Sequence, residues 1–181
     1  MNVLTIKVGT SELRCRSSRN NRCAVPRKGG AIEMGLSADI AMQFCGRQIT
    51  AAELDAFEGR HGVSLPKGYR KFMRAYNGGM VSPLAHFTFL DRDYCLHSLY
   101  SLNDNFPYEL DRMCKSLNWE MAYSLGHLCF GRDPGGSEFF IATRGPDSGA
   151  IHFVDREEAL GLGVVRIADS FRQLMEGLVP A

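Results

Sequence analysis

The clearest hydrophobic pattern in the chain lies between Leu65 and Gly79 and predicts a short amphipathic helix. Apolar side chains recur there at intervals of three and four residues, which places them on one face of a helix. These side chains are Tyr69, Phe72, Met73 and Tyr76. Pro66 suits the first helical turn because its missing N–H group costs nothing there. Asn77-Gly78-Gly79 ends the helix, since Asn and Gly tolerate the left-handed backbone of a C-cap.

A second amphipathic helix is predicted directly before the first. Thr50 and Glu53 stand three residues apart and match a capping box. Leu54 and Phe57 then supply the inner face of this helix. The turn at 62–64 joins the two elements, so the pattern predicts an N-terminal helical hairpin.

The rest of the chain shows short apolar and alternating stretches that are typical of β-strands. Strands are predicted at 80–90, 123–130, 138–143, 150–155 and 164–167, and the stretch 94–102 fits either a strand or a helical turn. A helix opened by Pro107 and running to about Asn118 lies between them, and Asp169 or Ser170 caps a final helix. This order of elements predicts an α+β fold, in which the N-terminal helical hairpin packs on a mainly antiparallel β-sheet with a closing C-terminal helix.

The first part of the chain differs from the rest in charge. Residues 1–30 hold seven basic residues and one acidic residue, a net charge of +6, whereas the remaining 14 basic and 19 acidic residues give −5. A short strand pattern at Val3–Val8 is followed by no period that would bury apolar surface. We therefore predict a basic arm at 1–45, which is disordered or an over-extended start, and one globular domain at 47–179.

Three interpretations of this arm stay open. It is a disordered tail whose true start is Met34 or Met42, an Arg- and Ser-rich transit peptide, or an arm that contacts nucleic acid or another acidic surface. Residues 1–30 contain no aromatic side chain that could stack on bases, so we expect no nucleic-acid partner. The stretch from Ser37 to Cys45 fits a weak helix.

Composition indicates a globular domain with an ordinary core. The chain of 181 residues is 45% apolar, and no apolar run approaches the ~20 residues that a membrane span needs, so we expect no membrane partner. Its six cysteines lack any CxxC pair or zinc-like spacing. A core of this size does not need disulfides, so we predict reduced thiols and, with them, a cytoplasmic location.

One string of residues in the predicted helical hairpin carries a family resemblance. The string is Ile49, Leu54, Phe57, Glu58, Gly62, Leu65, Pro66, Tyr69, Phe72, Tyr76, Asn77, Gly78 and Gly79. It resembles the opening signature of the SUKH superfamily, which includes Smi/Knr-type fungal cell-wall regulators and many bacterial immunity proteins. The stretches 131–141, 149–153 and 167–171 fit the Gly-rich turn, two strands and final helix of that pattern. The resemblance covers 47–179, although about 91–124 does not align, and we expect structural roles for the family-motif residues Leu65, Pro66, Tyr69, Asn77, Gly78 and Gly79.

Few residues in the chain suggest catalysis. The glycine-rich stretch at 133–137 lacks the frame of a phosphate-binding loop and is predicted as a hairpin turn. No HxxxH or HExxH pair is present that would bind a metal. His127 and Cys129 lie on one face of a predicted strand and form a remote candidate for a Cys/His hydrolase-type enzyme, but a core thiol beside a partly buried imidazole is the preferred interpretation. We therefore predict no catalytic, metal-binding or cofactor-binding residue.

We expect a non-enzymatic binding protein with a protein partner. The resemblance implies an immunity protein that neutralises a bacterial toxin, such as a nuclease, by direct binding, and a regulatory adaptor or scaffold is the alternative. The negative charge of the domain agrees with a basic partner. Acidic residues without an evident core role form the predicted partner-binding set, with a solvated face as the alternative. They are Asp91, Asp93, Asp104, Glu109 and Asp111, and a second acidic group follows at Asp155, Glu157 and Glu158.

Overall fold

The computed structural model describes residues 36–103, 109–115, 126–155 and 164–181. The helices within these ranges are α1 (Ala51–His61), α2 (Lys67–Tyr76), α3 (Leu110–Cys114) and α4 (Phe171–Glu176). The strands are β1 (Ala41–Gln43), β2 (Gly79–Phe89), β3 (Arg92–Leu99), β4 (His127–Arg132), β5 (Glu138–Ala142), β6 (Ile151–Val154), β7 (Val164–Ala168) and β8 (Val179–Pro180).

The described strands form one antiparallel sheet. Strands β1 to β7 lie beside one another in chain order, and β8 pairs with β2. Each neighbouring pair runs in opposite directions, as expected for a meander. The sheet and the closing helix α4 confirm the α+β class with a mainly antiparallel sheet. β8 was not predicted, because two residues are too few to show a hydrophobic pattern.

Residues 37–45 do not form the predicted helix, and that prediction is wrong. β1 lies there and pairs with β2, with Met42 opposite Val81. Ile40 and Met42 are buried in the core. A three-residue strand is stabilised by its neighbour rather than by local preference. Residues 40–43 of the predicted arm thus pack with the sheet, whereas residues 1–35 lie outside the described residues, and the domain bounds stay a prediction.

α1 and α2 lie where the hydrophobic pattern predicts them. In the capping box of α1, the Thr50 hydroxyl accepts from the Glu53 N–H group at 3.2 Å, and the Glu53 carboxylate accepts from the Thr50 N–H group at 2.9 Å. Pro66 is the N-cap residue of α2, so this helix begins one residue later than predicted. The Arg70 guanidinium of α2 forms ion pairs with Asp55 and Glu58 of α1. These contacts support the packing of the two helices, while the helical hairpin as a unit stays a prediction.

Four buried aromatic rings join the helices to the sheet. The ring centroid of Phe171 in α4 lies 5.1 Å from that of Tyr69 and 5.2 Å from that of Phe72, both in α2. It also lies 5.5 Å from the ring of Phe130 in β4. Tilted and edge-on pairs at such distances add to the stability that burial alone provides. The prediction that Tyr69 and Phe72 face the core is confirmed.

The state of the cysteines differs in part from the prediction. Cys45 is disulfide-bonded, so the prediction of reduced thiols is wrong for this half-buried residue beside the edge strand β1. Among the described residues, Cys95, Cys114 and Cys129 are free. Burial raises the pKa of the Cys114 thiol to about 12, which keeps it protonated and unreactive.

Asn77 connects three parts of the chain at the end of α2. Its backbone is left-handed, with a φ of 50°, and its N–H group donates to the Met73 carbonyl. Its buried side-chain amide donates to the Arg47 and Leu102 carbonyls, each at 2.9 Å, and accepts from the Leu102 N–H group at 2.8 Å. Its carbonyl accepts from the Gly46 N–H group at 3.1 Å. The predicted C-cap is confirmed, and the side chain adds a link that the sequence did not show.

Gly78 lies where a side chain does not fit. Its φ is 76°, in the left-handed region. A Cβ atom added to it would lie 2.7 Å from the Tyr100 carbonyl carbon and 2.8 Å from the Leu99 oxygen. These are backbone atoms of β3 and the residue that follows it, so the clash cannot be relieved by a side-chain rotation.

We expect Gly78→Ala to lower the free energy of unfolding by about 3 kcal/mol or more, because left-handed strain adds to a backbone clash. Gly62→Ala is the matched control, since Gly62 has a φ of 60° but no heavy atom within 4 Å of an added Cβ. The control should lose about 1–2 kcal/mol. Urea unfolding followed by circular dichroism measures both values. Equal losses would show that the approach of β3 does not constrain position 78.

We expect Asn77→Asp to cost about 3 kcal/mol, because two carbonyls lose their donors and a carboxylate is buried between them. Burial raises the pKa of such a carboxyl, so the folded variant binds a proton more readily than its unfolded chain. The loss should therefore be smaller at pH 5 than at pH 8 in urea unfolding. Asn103→Asp is the exposed comparison, because Asn103 also has a positive φ. Its amide donates to the Glu53 carboxylate at 3.3 Å, so this variant measures the repulsion of two surface carboxylates, which is smaller than the burial of one. A loss at Asn77 that does not change with pH would contradict the role of the amide.

Candidate protein-binding surface

Two of the five predicted partner-binding residues have roles inside the domain. Glu109 is the N-cap residue of α3, and its carboxylate accepts from backbone N–H groups at 3.0 and 3.1 Å. Asp111 accepts from Arg60 Nη2 at 2.8 Å and lies 2.5 Å from His61 Nε2. Burial raises the pKa of Asp111, but the hydrogen bonds from His61 and Arg60 outweigh it and hold this pKa below its usual value. A partner that bound these carboxylates would have to replace those contacts.

Asp91 and Asp93 are exposed at the turn between β2 and β3. Phe89 pairs with Arg92, so the two-residue turn Leu90-Asp91 connects the strands, and it is termed the hairpin tip. The Asp93 carboxylate accepts from the Thr88 hydroxyl at 2.7 Å and lies 3.6 Å from His86 Nε2. Of the predicted set, the structure thus brings together these two residues only, because Glu109 and Asp111 lie on α3 and Asp104 lies outside the described residues.

A groove of about 610 Å³ opens beside the hairpin tip. β3 pairs with β4 only at Ser98 and Leu99, so the first half of β3 is separated from β4 and leaves this opening. Three carboxylates, one guanidinium and two aromatic rings line it. They belong to Arg92, Asp93, Tyr94, Asp133, Phe153 and Asp155. Because carboxylates outnumber the cation, this feature is termed the acidic groove.

The acidic groove has an aromatic floor and charged walls. The buried rings of Tyr94 and Phe153 meet edge-on, with 5.0 Å between their centroids. The Asp133 carboxylate is held in place by the Ser137 N–H group, which donates to it at 2.7 Å. Arg92 Nη2 lies 3.9 Å from Asp155 Oδ2, beyond direct hydrogen-bond distance.

The sequence pattern did not reveal this groove. Its side chains come from β3, from the turn between β4 and β5, and from the end of β6. Asp133 was predicted as a turn residue, and that role is confirmed, since its N–H group donates to the Ser137 carbonyl at 2.9 Å. Asp155 was grouped with Glu157 and Glu158, which lie outside the described residues. Only the sheet places Asp133 and Asp155 beside Asp93.

The family-motif residues act within the fold. Leu65 is buried, and its N–H group donates to the Glu58 carboxylate at 2.5 Å. Tyr69 faces the core, while the remaining motif residues form the ends of α2 and the start of β2. These are Pro66, Asn77, Gly78 and Gly79. Each of them thus has a structural role, whereas the acidic groove is built from other positions.

His127 and Cys129 occupy different surroundings. Cys129 is buried, and its Sγ donates to the Gly131 carbonyl at 3.6 Å. Burial raises the pKa of this thiol well above its usual value, so it is a protonated thiol and not a thiolate nucleophile. The His127 ring meets the His152 ring edge-on, with 4.8 Å between centroids. Within the described ranges, no group of three or more His, Cys, Asp or Glu residues could hold a metal ion. The absence of catalytic and metal-binding residues in the whole chain stays a prediction.

Acidification should destabilise the domain through His152. Burial lowers the pKa of His152, and the nearby His127 and Arg166 lower it further, while Asp147 opposes them. The usual value in an unfolded chain is about 6.5. A lower pKa in the folded state means that the unfolded chain binds the proton more readily, so stability falls as the pH drops through about 6.5 and below.

We expect His152→Gln to flatten this pH dependence between about pH 7 and pH 5. Thermal unfolding across that range measures the slope for both proteins. The difference between them at pH 8, where this histidine is neutral in both states, reports the change in packing alone. Parallel curves over the whole range would show that His152 does not contribute to the acid sensitivity.

No described helix has both the length and the apolar character that crossing a membrane requires.

Comparisons with known proteins identify the family of the chain. Among curated proteins, no significant match to the chain is found. The SMI1 / KNR4 family (SUKH-1) model matches residues 48–177, which include α1 to α4 and β2 to β7, and this confirms the resemblance to the SUKH superfamily. Since the match covers more than half of the chain, the chain belongs to the SMI1 / KNR4 family (SUKH-1).

Proposed function

We propose that this chain is a non-enzymatic immunity protein that neutralises a bacterial toxin by binding it directly. The observation that carries the proposal is membership of the SMI1 / KNR4 family (SUKH-1), which includes immunity proteins and whose domains typically bind protein partners. The buried, protonated thiol of Cys129 supports a binding role, because a nucleophilic enzyme would need a thiolate.

A nuclease is the toxin class that the charge of the surface favours. Asp91 lies in the hairpin tip, directly before the acidic groove. Asp93, Asp133 and Asp155 supply the carboxylates of the groove, and Arg92 is the cation among its described lining residues. A nuclease carries a basic cleft that binds the phosphates of its substrate. An acidic surface can cover such a cleft, and the opposite charges raise the rate of association.

A cytoplasmic location is part of the proposal. The free thiols Cys95, Cys114 and Cys129 agree with a reducing compartment. The disulfide bond at Cys45 points in the opposite direction. Fractionation of cells that produce the native protein measures its location directly.

Co-expression tests the immunity function. The full chain is produced in a bacterial host together with the toxin domain encoded beside its gene, and growth is compared with that of a host carrying the toxin alone. We expect restored growth and a one-to-one complex on size-exclusion chromatography. Growth arrest without a complex would refute the immunity function and favour the regulatory adaptor.

We expect the double variant Asp91→Lys and Asp93→Lys to associate with a basic toxin about tenfold more slowly at low salt, because reversed charges no longer attract the partner. The difference should shrink as salt screens the charges. Stopped-flow fluorescence measures the association rates, and thermal unfolding checks that the variant is folded.

The matched control for this experiment is the double variant Asp39→Lys and Glu176→Lys. Both residues are exposed acids outside the hairpin tip and the acidic groove, and this control changes the net charge by as much as the variant of Asp91 and Asp93 does. Equal slowing by the two variants would assign the effect to overall charge. Wild-type rates in the hairpin variant would identify its acidic residues as a solvated face.

A further inference from the structure

Leu90 is a solvent-exposed apolar side chain at the hairpin tip. It is 79% exposed, whereas the other exposed large apolar residues of the described chain range from 36% to 58%. The φ angles of Leu90 and Asp91 are 48° and 59°. A two-residue turn with two positive φ angles favours Asn-Gly, because a side chain such as leucine crowds the backbone there. Folding alone thus favours neither the exposure nor the backbone conformation of leucine at this position.

The acidic groove begins two residues beyond Leu90. Its floor is aromatic, since Tyr94 and Phe153 pack edge-on beneath it, and its carboxylates come from Asp93, Asp133 and Asp155. A guanidinium group is planar, binds carboxylates through paired N–H groups and stacks on aromatic rings. The groove therefore offers the carboxylate contacts that an arginine side chain makes, above rings that are largely buried.

Asp93 and Asp133 bring two negative charges to the acidic groove, and Arg92 is the cation among its described lining residues. The Arg92 side chain is 58% exposed and lies 3.9 Å from Asp155. Asp133 uses one carboxylate oxygen for the Ser137 N–H group, and its charge remains. A nucleic acid would be repelled, because phosphates and carboxylates have the same sign of charge. A protein surface with a basic side chain next to an apolar pocket fits the groove and Leu90 together.

We propose that the protein partner docks across the hairpin tip and the acidic groove, so that Leu90 enters an apolar pocket of the partner while a partner arginine enters the groove. This inference rests on the proposed function and names the part of the domain that makes the contact. Leu90 then acts as the central anchor, and the surrounding carboxylates set the orientation and the rate of encounter.

The groove is tested without any toxin. The ¹⁵N-labelled full chain is titrated with N-acetylarginine amide and, as a control of the same shape without charge, with N-acetylcitrulline amide. We expect the arginine compound to shift the backbone amide signals of Asp93, Tyr94 and Ser137, with a dissociation constant on the order of 1 mM. The shifts should weaken at high salt. Identical shifts with the two compounds, or none, would overturn the assignment of the groove.

Leu90 is tested with the toxin domain from the co-expression experiment. Leu90→Asn should raise the melting temperature of the free domain, because asparagine tolerates the left-handed backbone. The same variant should dissociate from the toxin about tenfold faster or more, because an anchor side chain is lost. Val164→Asn is the control, since Val164 is also an exposed apolar residue, at 58%, but lies on β7. It should leave the dissociation rate unchanged.

The two experiments separate this inference from the proposed function. Wild-type dissociation in Leu90→Asn would overturn the anchor role while the immunity function stands. Selective binding of the arginine compound in a chain that fails to bind or neutralise the toxin would refute the immunity function and support the groove as a site for cationic side chains. A stabilised Leu90→Asn variant with faster dissociation, together with selective binding of the arginine compound, supports the inference in full.

Discussion

The buried amide of Asn77 holds the end of α2 against two other parts of the chain. Its side chain satisfies the Arg47 carbonyl and both backbone groups of Leu102, and its own carbonyl receives the Gly46 N–H group. Buried polar groups need such partners, and the Asn77 amide makes three of these contacts because it is both donor and acceptor. Gly78 then lets the chain pass β3 at backbone contact distance. The position of β2, which begins at the next residue, follows from these two constraints.

Four buried aromatic rings connect the end of α2 to the rest of the core; they belong to Tyr69, Phe72, Phe130 and Phe171. Phe171 of α4 contacts rings from α2 and β4, so the last helix is fastened to the second helix and to the middle of the sheet. The acidic groove lies where β3 separates from β4, and its floor residues Tyr94 and Phe153 belong to the core. The exposed side chains of Leu90, Asp91 and Asp93 can change with little effect on that core. Asp91 and Asp93 begin the segment 91–124, in which no motif of the family was recognised from the sequence, although the family model spans it.

Charge alone does not identify a binding residue in this domain. Asp91, Asp93, Glu109 and Asp111 all carry a carboxyl group, but Asp111 forms a salt bridge and Glu109 caps a helix. The difference lies in the neighbours that the fold provides: Arg60 and His61 from α1 for Asp111, and backbone N–H groups for Glu109. Asp91 remains at the surface with its charge available, and the groove adds Asp133 and Asp155 from distant parts of the chain.

The sequence by itself determined what depends on neighbours along the chain. The capping box at Thr50, the helix end at Asn77, the turn at Asp133 and the α+β order of elements all rest on local chemistry, and the structure has them in place. Tertiary contacts decided the rest. β1 is a strand and not a helix because its backbone pairs with β2. The two-residue strand β8 likewise forms through its pairing with β2. The acidic groove and the side-chain bonds of Asn77 join residues far apart in the chain, and a local pattern carries no information about which distant residues meet.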